Sequence, residues 1–472
     1  MAHEHGYFDP RALHRWHLLP LVAALALAGC ALKAPPDAKK LAETELAHAP
    51  FPPAWKAGGN SSAVQAGWLA SFNDPRLPPL ADEVLSYNAD LRIAVSRVEI
   101  AAAALKAAGG ALYPEVNLAA RTGGKAIGSS GQLSGLVVAA SWELDVWGRV
   151  RYGRQAADAQ FASAQADQRA AQQALVATFA KAWFVAAESV EQRRIITDVV
   201  SAAETLVKLA EDRLRVGAGA DADVALARAD LQTYRDNALQ IDLALAQSRR
   251  ALEVLLGRYP AAEIELPSAL AGMPPAASTG VPSELLERRP DVIAAERRVA
   301  IAFAKVGEAS AARLPRLSLT AALSSISSST FVLKADSDPS LGIGGTLFFP
   351  LFNGGQLAAQ VELRTAEQKQ AAAAYAQTAL KAFNEVETAL ANEVSLAERE
   401  EVLRQGLIDS TRALDLERIR YKVGSRDLRT VTQQQLAAYA TSISLLRVQT
   451  ERRVQRVQLH LALGGDFGTS GQ

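Results

Sequence analysis

The chain is poor in the residues that most chemistry needs. It holds one cysteine and six histidines in 472 residues. A lone cysteine excludes an internal disulfide. Only His48 and His460 lie beyond the first thirty residues, too few and too separated for a metal cluster. Excess charge is missing as well. Lys+Arg and Asp+Glu both number 50, so the basic surplus that neutralises phosphates in a nucleic-acid binder is absent. Catalytic motifs are lacking: Gly123-Gly124-Lys125 has neither the spacing nor the following hydroxyl of a phosphate loop, and no G-x-S-x-G occurs. His3-Glu4-His5 lies in the leader and is not a metalloprotease helix. Most carboxylates sit among Lys and Arg, as in Glu398-Arg399-Glu400-Glu401, which reads as a solvated, ion-paired helix face. After Cys30 no uncharged apolar run reaches the roughly 20 residues that a membrane helix needs. These absences point away from an enzyme, and no cofactor is expected.

Aromatics are only 6% of the chain, while alanine dominates long stretches. Alanine is the best helix former and lets helices approach closely, so long, tightly packed helices are expected. The N-terminus reads as an export signal, residues 1–29. Arg11 and Arg15 supply a positive flank, and Leu18 to Ala28 form a short apolar core interrupted by Pro20. Leu27-Ala28-Gly29-Cys30 resembles a lipobox, which makes Cys30 the first mature residue and the carrier of a covalent lipid; plain secretory cleavage after Ala26-Leu27-Ala28 is the alternative. Residues 30–60, rich in Pro and Ala with no sustained period, read as a lipidated linker.

Beyond the linker the chain repeats itself. Asn88-Ala89-Asp90-Leu91 opens a helix that ends in Leu112-Tyr113-Pro114, and about 200 positions later Arg289-Pro290-Asp291-Val292 opens one that ends in Arg313-Leu314-Pro315. Val146-Trp147-Gly148 matches Leu351-Phe352-Asn353, and Arg215-Val216-Gly217-Ala218 matches Lys422-Val423-Gly424-Ser425. Residues 61–270 and 271–464 are thus two repeats, followed by a short tail, 465–472. Each reads as helix, two strands, very long helix, glycine turn and returning helix.

The strand segments alternate with period two. Leu317, Leu319, Ala321 and Leu323 share one face, as do Leu341, Ile343, Gly345, Leu347 and Phe349, and Leu136, Val138, Ala140, Trp142, Leu144 and Val146. Alternation over about 10 residues suits a tilted membrane strand, though a half-buried strand of a soluble sheet would look alike. Thr122 to Ser134 and Ser327 to Ser340 read as polar loops. From Gln155 to Leu214 there is neither Pro nor Gly, and apolar residues recur at alternating steps of three and four, the spacing of a coiled coil. Such a helix is roughly 90 Å long. The second, from Gln356 to Arg420, is interrupted only by Gly406. Four amphipathic strands cannot close a barrel, and open edges in lipid leave backbone groups unsatisfied at several kcal/mol each. If the strands cross a membrane, several copies must pool them.

Taken with Trp68, Phe72-Asn73-Asp74-Pro75-Arg76-Leu77, Trp142-Glu143-Leu144-Asp145-Val146-Trp147-Gly148-Arg149, Pro350-Leu351-Phe352-Asn353-Gly354-Gly355 and Tyr421-Lys422-Val423-Gly424, the chain resembles the TolC-like outer membrane factors, and among them the NodT/OprM-type efflux lipoproteins. The resemblance covers essentially the whole mature chain. It implies a mainly helical fold with membrane β-structure: a homotrimer with a 12-stranded outer-membrane β-barrel continuous with a long periplasmic α-helical barrel. It also implies a passive conduit for small molecules, working with a periplasmic adaptor and an inner-membrane transporter of the RND type. Type I protein secretion is the alternative within the family; a periplasmic adaptor or coiled-coil scaffold lipoprotein is the alternative outside it. The resemblance makes the tips Arg215, Val216, Gly217, Ala218 and Lys422, Val423, Gly424, Ser425 the adaptor-docking sites. Tyr421 and Arg426 match positions whose polar links hold related tips closed. Related channels place aspartates just beyond the position of Arg426; here Thr430-Val431-Thr432-Gln433-Gln434-Gln435 carries no acid. Asp427, Asp221 and Asp223 are candidate substitutes, although acids are common at helix starts for electrostatic reasons alone.

Overall fold

The computed structural model describes residues 32–123, 133–328 and 340–467. The stretch read as a signal peptide, Cys30, residues 124–132 and 329–339, and most of the C-terminal tail lie outside the described residues. The first repeat runs α2 (Leu77–Tyr87), α3 (Ala89–Gly110), β1 (Glu115–Gly123), β2 (Leu133–Leu144), α4 (Arg149–Arg215) and α5 (Asp221–Leu255), after a short α1 (Ala38–Glu45). The second runs α6 (Pro282–Arg288), α7 (Pro290–Ala311), β3 (Arg316–Ser328), β4 (Ser340–Phe348), α8 (Gln356–Lys422) and α9 (Leu428–Ala462). The duplication is exact where it counts. Helices α3 and α7 both have 22 residues, α4 and α8 both 67, and α5 and α9 both 35.

Three details depart from the sequence expectation. The stretch read as an irregular tether contains α1, N-capped by Asp37, whose carboxylate accepts from Lys40 N–H at 2.7 Å. Gly406 does not interrupt α8, and a Cβ there would meet only Thr441 Cγ2 at 3.7 Å. Val146 and Phe349 fall just past the ends of β2 and β4.

The chain divides into two compact units. One comprises the N-terminal stretch to His48, Arg97–Gln165 and Ala294–Ala376. It holds a four-stranded antiparallel sheet in the order β1-β2-β3-β4, the repeats meeting at β2 and β3. Register places Leu118, Val138, Leu323 and Leu341 in one row, and Val116, Ala140, Ala321 and Ile343 in the next. The opposite face carries small or polar residues, as in the row Glu115, Ser141, Thr320 and Gly344. The sheet ends at β1 on one side and β4 on the other.

The strand-to-helix turn explains the Trp142–Arg149 motif. Gly148 takes φ +79°, where a side chain would be strained. Asp145 then caps α4, accepting from Val150 and Arg151 N–H at 3.0 and 2.9 Å, a charge that suits a helix N-terminus. Arg149 forks onto Glu143 at 3.0 and 2.7 Å. Trp142 and Trp147 donate their indole N–H to the Leu112 and Pro315 carbonyls at 2.9 and 2.8 Å. Below the turn, Gly307 makes a notch: a Cβ there would stand 2.6 Å from the Tyr152 ring.

The other unit, Ala49–Ser96, Ala166–Ile293 and Gln377–Gln472, has its own core. Trp183, Phe179, Phe184, Phe72 and Leu252 are fully enclosed in it. Trp183 donates to Asp74 Oδ2 at 2.9 Å, which gives the Asn73-Asp74-Pro75 motif a structural role. Asn88 caps α3 through Asp90 and Leu91 N–H. Arg289, 8% exposed, forks onto Asp291 and reaches Glu385 at 2.7 Å. Burial opposes its charge, but those two carboxylates prevail and raise its pKa. The segment after α1 packs here too: Phe51 and Trp55 face Phe383, and Glu387 accepts from the N–H groups of Lys56 and Ala57 at 2.8 and 2.7 Å.

Candidate functional site, the hairpin tips and the membrane sheet

Both hairpin tips use the same turn. Gly217 and Gly424 have φ of +74° and +81°. Ala218 N–H donates back to the Arg213 carbonyl and Ser425 N–H to the Arg420 carbonyl, each at 2.9 Å. This satisfies carbonyls that a helix end otherwise leaves open, with glycine in the left-handed position that only it adopts freely. Val216 and Val423, at the apices, are 74% and 73% exposed. Arg215, Ala218, Lys422 and Ser425 are exposed beside them. Each tip therefore presents an apolar knob flanked by a cation.

The gate candidates separate. Tyr421 is enclosed, at 1% exposure, in an apolar cluster with Leu206, Ala210 and Val224 of the first hairpin and Leu428 and Val431 of the second. Arg213, a residue the sequence reading missed, lies over its ring at 4.7 Å. The Arg213 guanidinium donates to the Tyr421 carbonyl and, at 2.9 Å, to the Ala218 carbonyl. The Tyr421 hydroxyl has no hydrogen-bond partner among the described residues, and burial, with the nearby Asp223 charge, raises its pKa. Arg426 does not join Tyr421; its Nε lies 3.8 Å from Glu417, which also accepts from Arg420 at 2.7 Å. Asp427 caps α9, accepting from the Thr430 hydroxyl and N–H at 2.7 and 3.0 Å, and these bonds lower its pKa. Asp221 and Asp223 occupy the first turn of α5. Arg420 holds the matching place in the second repeat, but it pairs with Glu417 of its own helix, so the repeat does not reveal what Arg213 does.

The sheet is the second functional element. Val116, Leu118, Leu341 and Ile343 are 66–79% exposed, an apolar face with no protein core against it among the described residues. No helix among the described residues is long and apolar enough to cross a membrane; the sheet is the apolar surface that suits lipid. No group of three or more metal-ligating side chains occurs among the described residues.

An apolar strand face, open sheet edges and paired 67- and 35-residue helices define a subunit of a membrane β-barrel with long helical extensions. The model of the outer membrane efflux protein family matches residues 80–258 and 281–465, and the chain belongs to that family. It is 29% identical over 469 residues to the cation efflux system protein CusC of Escherichia coli O6:H1, covering 95% of this chain and 98% of that one. It is 30% identical over 473 residues to the pyoverdine export outer membrane protein OpmQ of Pseudomonas putida, covering 96% and 97%. The solved outer-membrane channel OprN superposes with a TM-score of 0.81 at 26% identity, covering 89% of this chain and 98% of that one. The resemblance read from the motifs is borne out at the level of family, fold and outer-membrane location. The fold is that of the trimeric outer-membrane channels, mainly helical with membrane strands, and the chain is an efflux channel component.

Proposed function

We propose that three copies of this chain form a passive export duct for small molecules, the outer-membrane part of a tripartite pump. The observation that carries this is the sheet: four strands with an apolar outer face and two unpaired edges. In lipid such edges are too costly to leave open, and β4 of one copy beside β1 of the next gives 12 strands with no edge, within the range of known barrels. The hairpin tips face the periplasm, where Val216 and Val423, with Arg215 and Lys422, dock a helical adaptor. An inner-membrane transporter of the RND type supplies the energy, and the chain performs no catalysis. Cys30 carries the lipid anchor. Asp221, Asp223 and Asp427 place negative charge around the mouth, and Tyr421 and Arg426 help keep it narrow.

Selectivity lies with the transporter. Relatives at nearly equal identity are named for cations and for pyoverdine, so sequence likeness does not separate cargoes. Protein purified in mild detergent is expected to run as a trimer and to give conductance steps in planar bilayers. A monomer without conductance would overturn the reading. With the trimer established, Val216→Glu with Val423→Glu is expected to abolish export in cells while leaving the trimer and its pore intact.

A further inference from the structure

At the foot of the sheet a cavity of about 390 Å³ lies between the end of α3, the start of α4 and α7. That volume falls within the roughly 300–1,000 Å³ of small-molecule sites. Ala108, Val150, Ala157 and Ile301 give it apolar walls. Arg149, Arg154, Lys305 and Glu308 bring charge to the same walls. Gly153, without a side chain, leaves room beside Glu308, whose Oε1 is 3.6 Å from where a Cβ would stand.

The charges do not cancel. Arg149 is taken up by Glu143, which accepts from both its Nε and its Nη2. Arg154, Lys305 and Glu308 have no ion pair among the described residues. Two free cations therefore face one free carboxylate. The duplication supplies a control. The matching helices carry Val361 in place of Arg154, Ala104 in place of Lys305 and Ala107 in place of Glu308. They form at the same lengths, so the fold does not require these charges.

Strand register shows which side the cavity serves. Glu143 shares a row with Ser318 and Thr346, on the polar face of the sheet. Its fork draws Arg149, and with it one wall of the cavity, to that side. With the apolar rows turned to lipid, the polar face lines the bore.

We propose that this cavity opens on the bore of the channel and holds small organic anions with an apolar body, one site per copy. This rests on the trimeric duct proposed above. Arg154 and Lys305 take the anionic group, and the alanines with Ile301 take the body. Cations in an apolar recess hold an anion more firmly than the same charges on an open surface, because low-dielectric walls focus the field. Glu308 repels a second negative group, which favours monoanions over dianions. The transporter still chooses the cargo; this site adds a preference by charge.

Block of single-channel current tests this, with the purified trimer in planar bilayers bathed in potassium chloride. Naphthalenesulfonate is the probe, and naphthylmethylammonium is its cationic control. The sulfonate is expected to reduce the current saturably, and Arg154→Gln with Lys305→Gln to raise its half-blocking concentration at least tenfold. That of the ammonium control is expected to rise less than twofold. No block by the sulfonate, an equal half-blocking concentration in parent and variant, or equal weakening of both probes overturns the proposal. Arg154→Cys gives a second measurement, in which the charge is changed after assembly. Modification by sulfonatoethyl methanethiosulfonate, a membrane-impermeant anion, is expected to raise the half-blocking concentration at least fivefold, with no such rise in the parent chain. No reaction, as from a site turned to lipid, or unaltered block after modification overturns the proposal. Protein without any conductance steps would sink the duct itself, whereas steps with unaltered block sink the anion site alone.

Discussion

Leu118, Val138, Leu323 and Leu341 line up across four strands and stay uncovered, whereas Trp183, Phe179 and Phe184 in the helices are sealed from solvent. The two regions use similar apolar residues for opposite ends. The helical region encloses a core of its own within one chain. Among the described residues the sheet has apolar side chains but nothing to cover them, which suits a face turned to lipid. Exposure that would be an aggregation liability in a soluble domain is here the membrane surface.

The sharpest way to break this contrast is to cut into the enclosed core. Trp183→Ala removes a fully buried ring and leaves Asp74 without its indole donor; a loss of about 3–5 kcal/mol is expected, measured as a lowered unfolding midpoint of the detergent-solubilised protein. On the sheet, Ile343→Arg is expected to cost about 2–4 kcal/mol near the bilayer midplane and to reduce the outer-membrane fraction on blotting. Thr320→Arg, on the opposite face, should leave that fraction unchanged and alter only conductance. Equal loss from both would mean that the faces are assigned wrongly.

The smallest effect is one of pH. His460 stacks on Trp68 at 5.4 Å, and burial, helped by Arg456, lowers its pKa from 6.5 to about 4. Between those values the unfolded chain binds a proton that the folded chain refuses, so stability is full above about pH 6.5 and falls as the pH drops towards 4. The loss reaches at most roughly 3 kcal/mol per chain. His460→Gln should flatten that slope in thermal melts between pH 7 and pH 4, values bracketing the shift; an unchanged slope would place the acid sensitivity elsewhere.

What was legible in the sequence was local. Glycine in a tip turn, proline after a helix and period-two alternation each follow from neighbouring residues, and the duplication let each copy support the other. The role of Arg213 was not legible, because a basic residue in the last turn of a helix is ordinary and its partner lies on another hairpin. Arg426 was named beside Tyr421 by likeness alone; its Nε lies 3.8 Å from Glu417, on the facing helix of its own hairpin, a pairing that no sequence pattern announces. Helix α1 escaped notice because it has only 8 residues between proline-rich stretches, too few to display a period.

The matched lengths of the hairpins, 67 and 35 residues in both copies, constrain how such a chain changes over time. Adding a turn to one copy alone would set its glycine bend off from its twin and spoil the shared cluster around Tyr421. Insertions and deletions in these helices are therefore tolerated only in pairs, one per copy, in whole heptads that keep the apolar seam in phase.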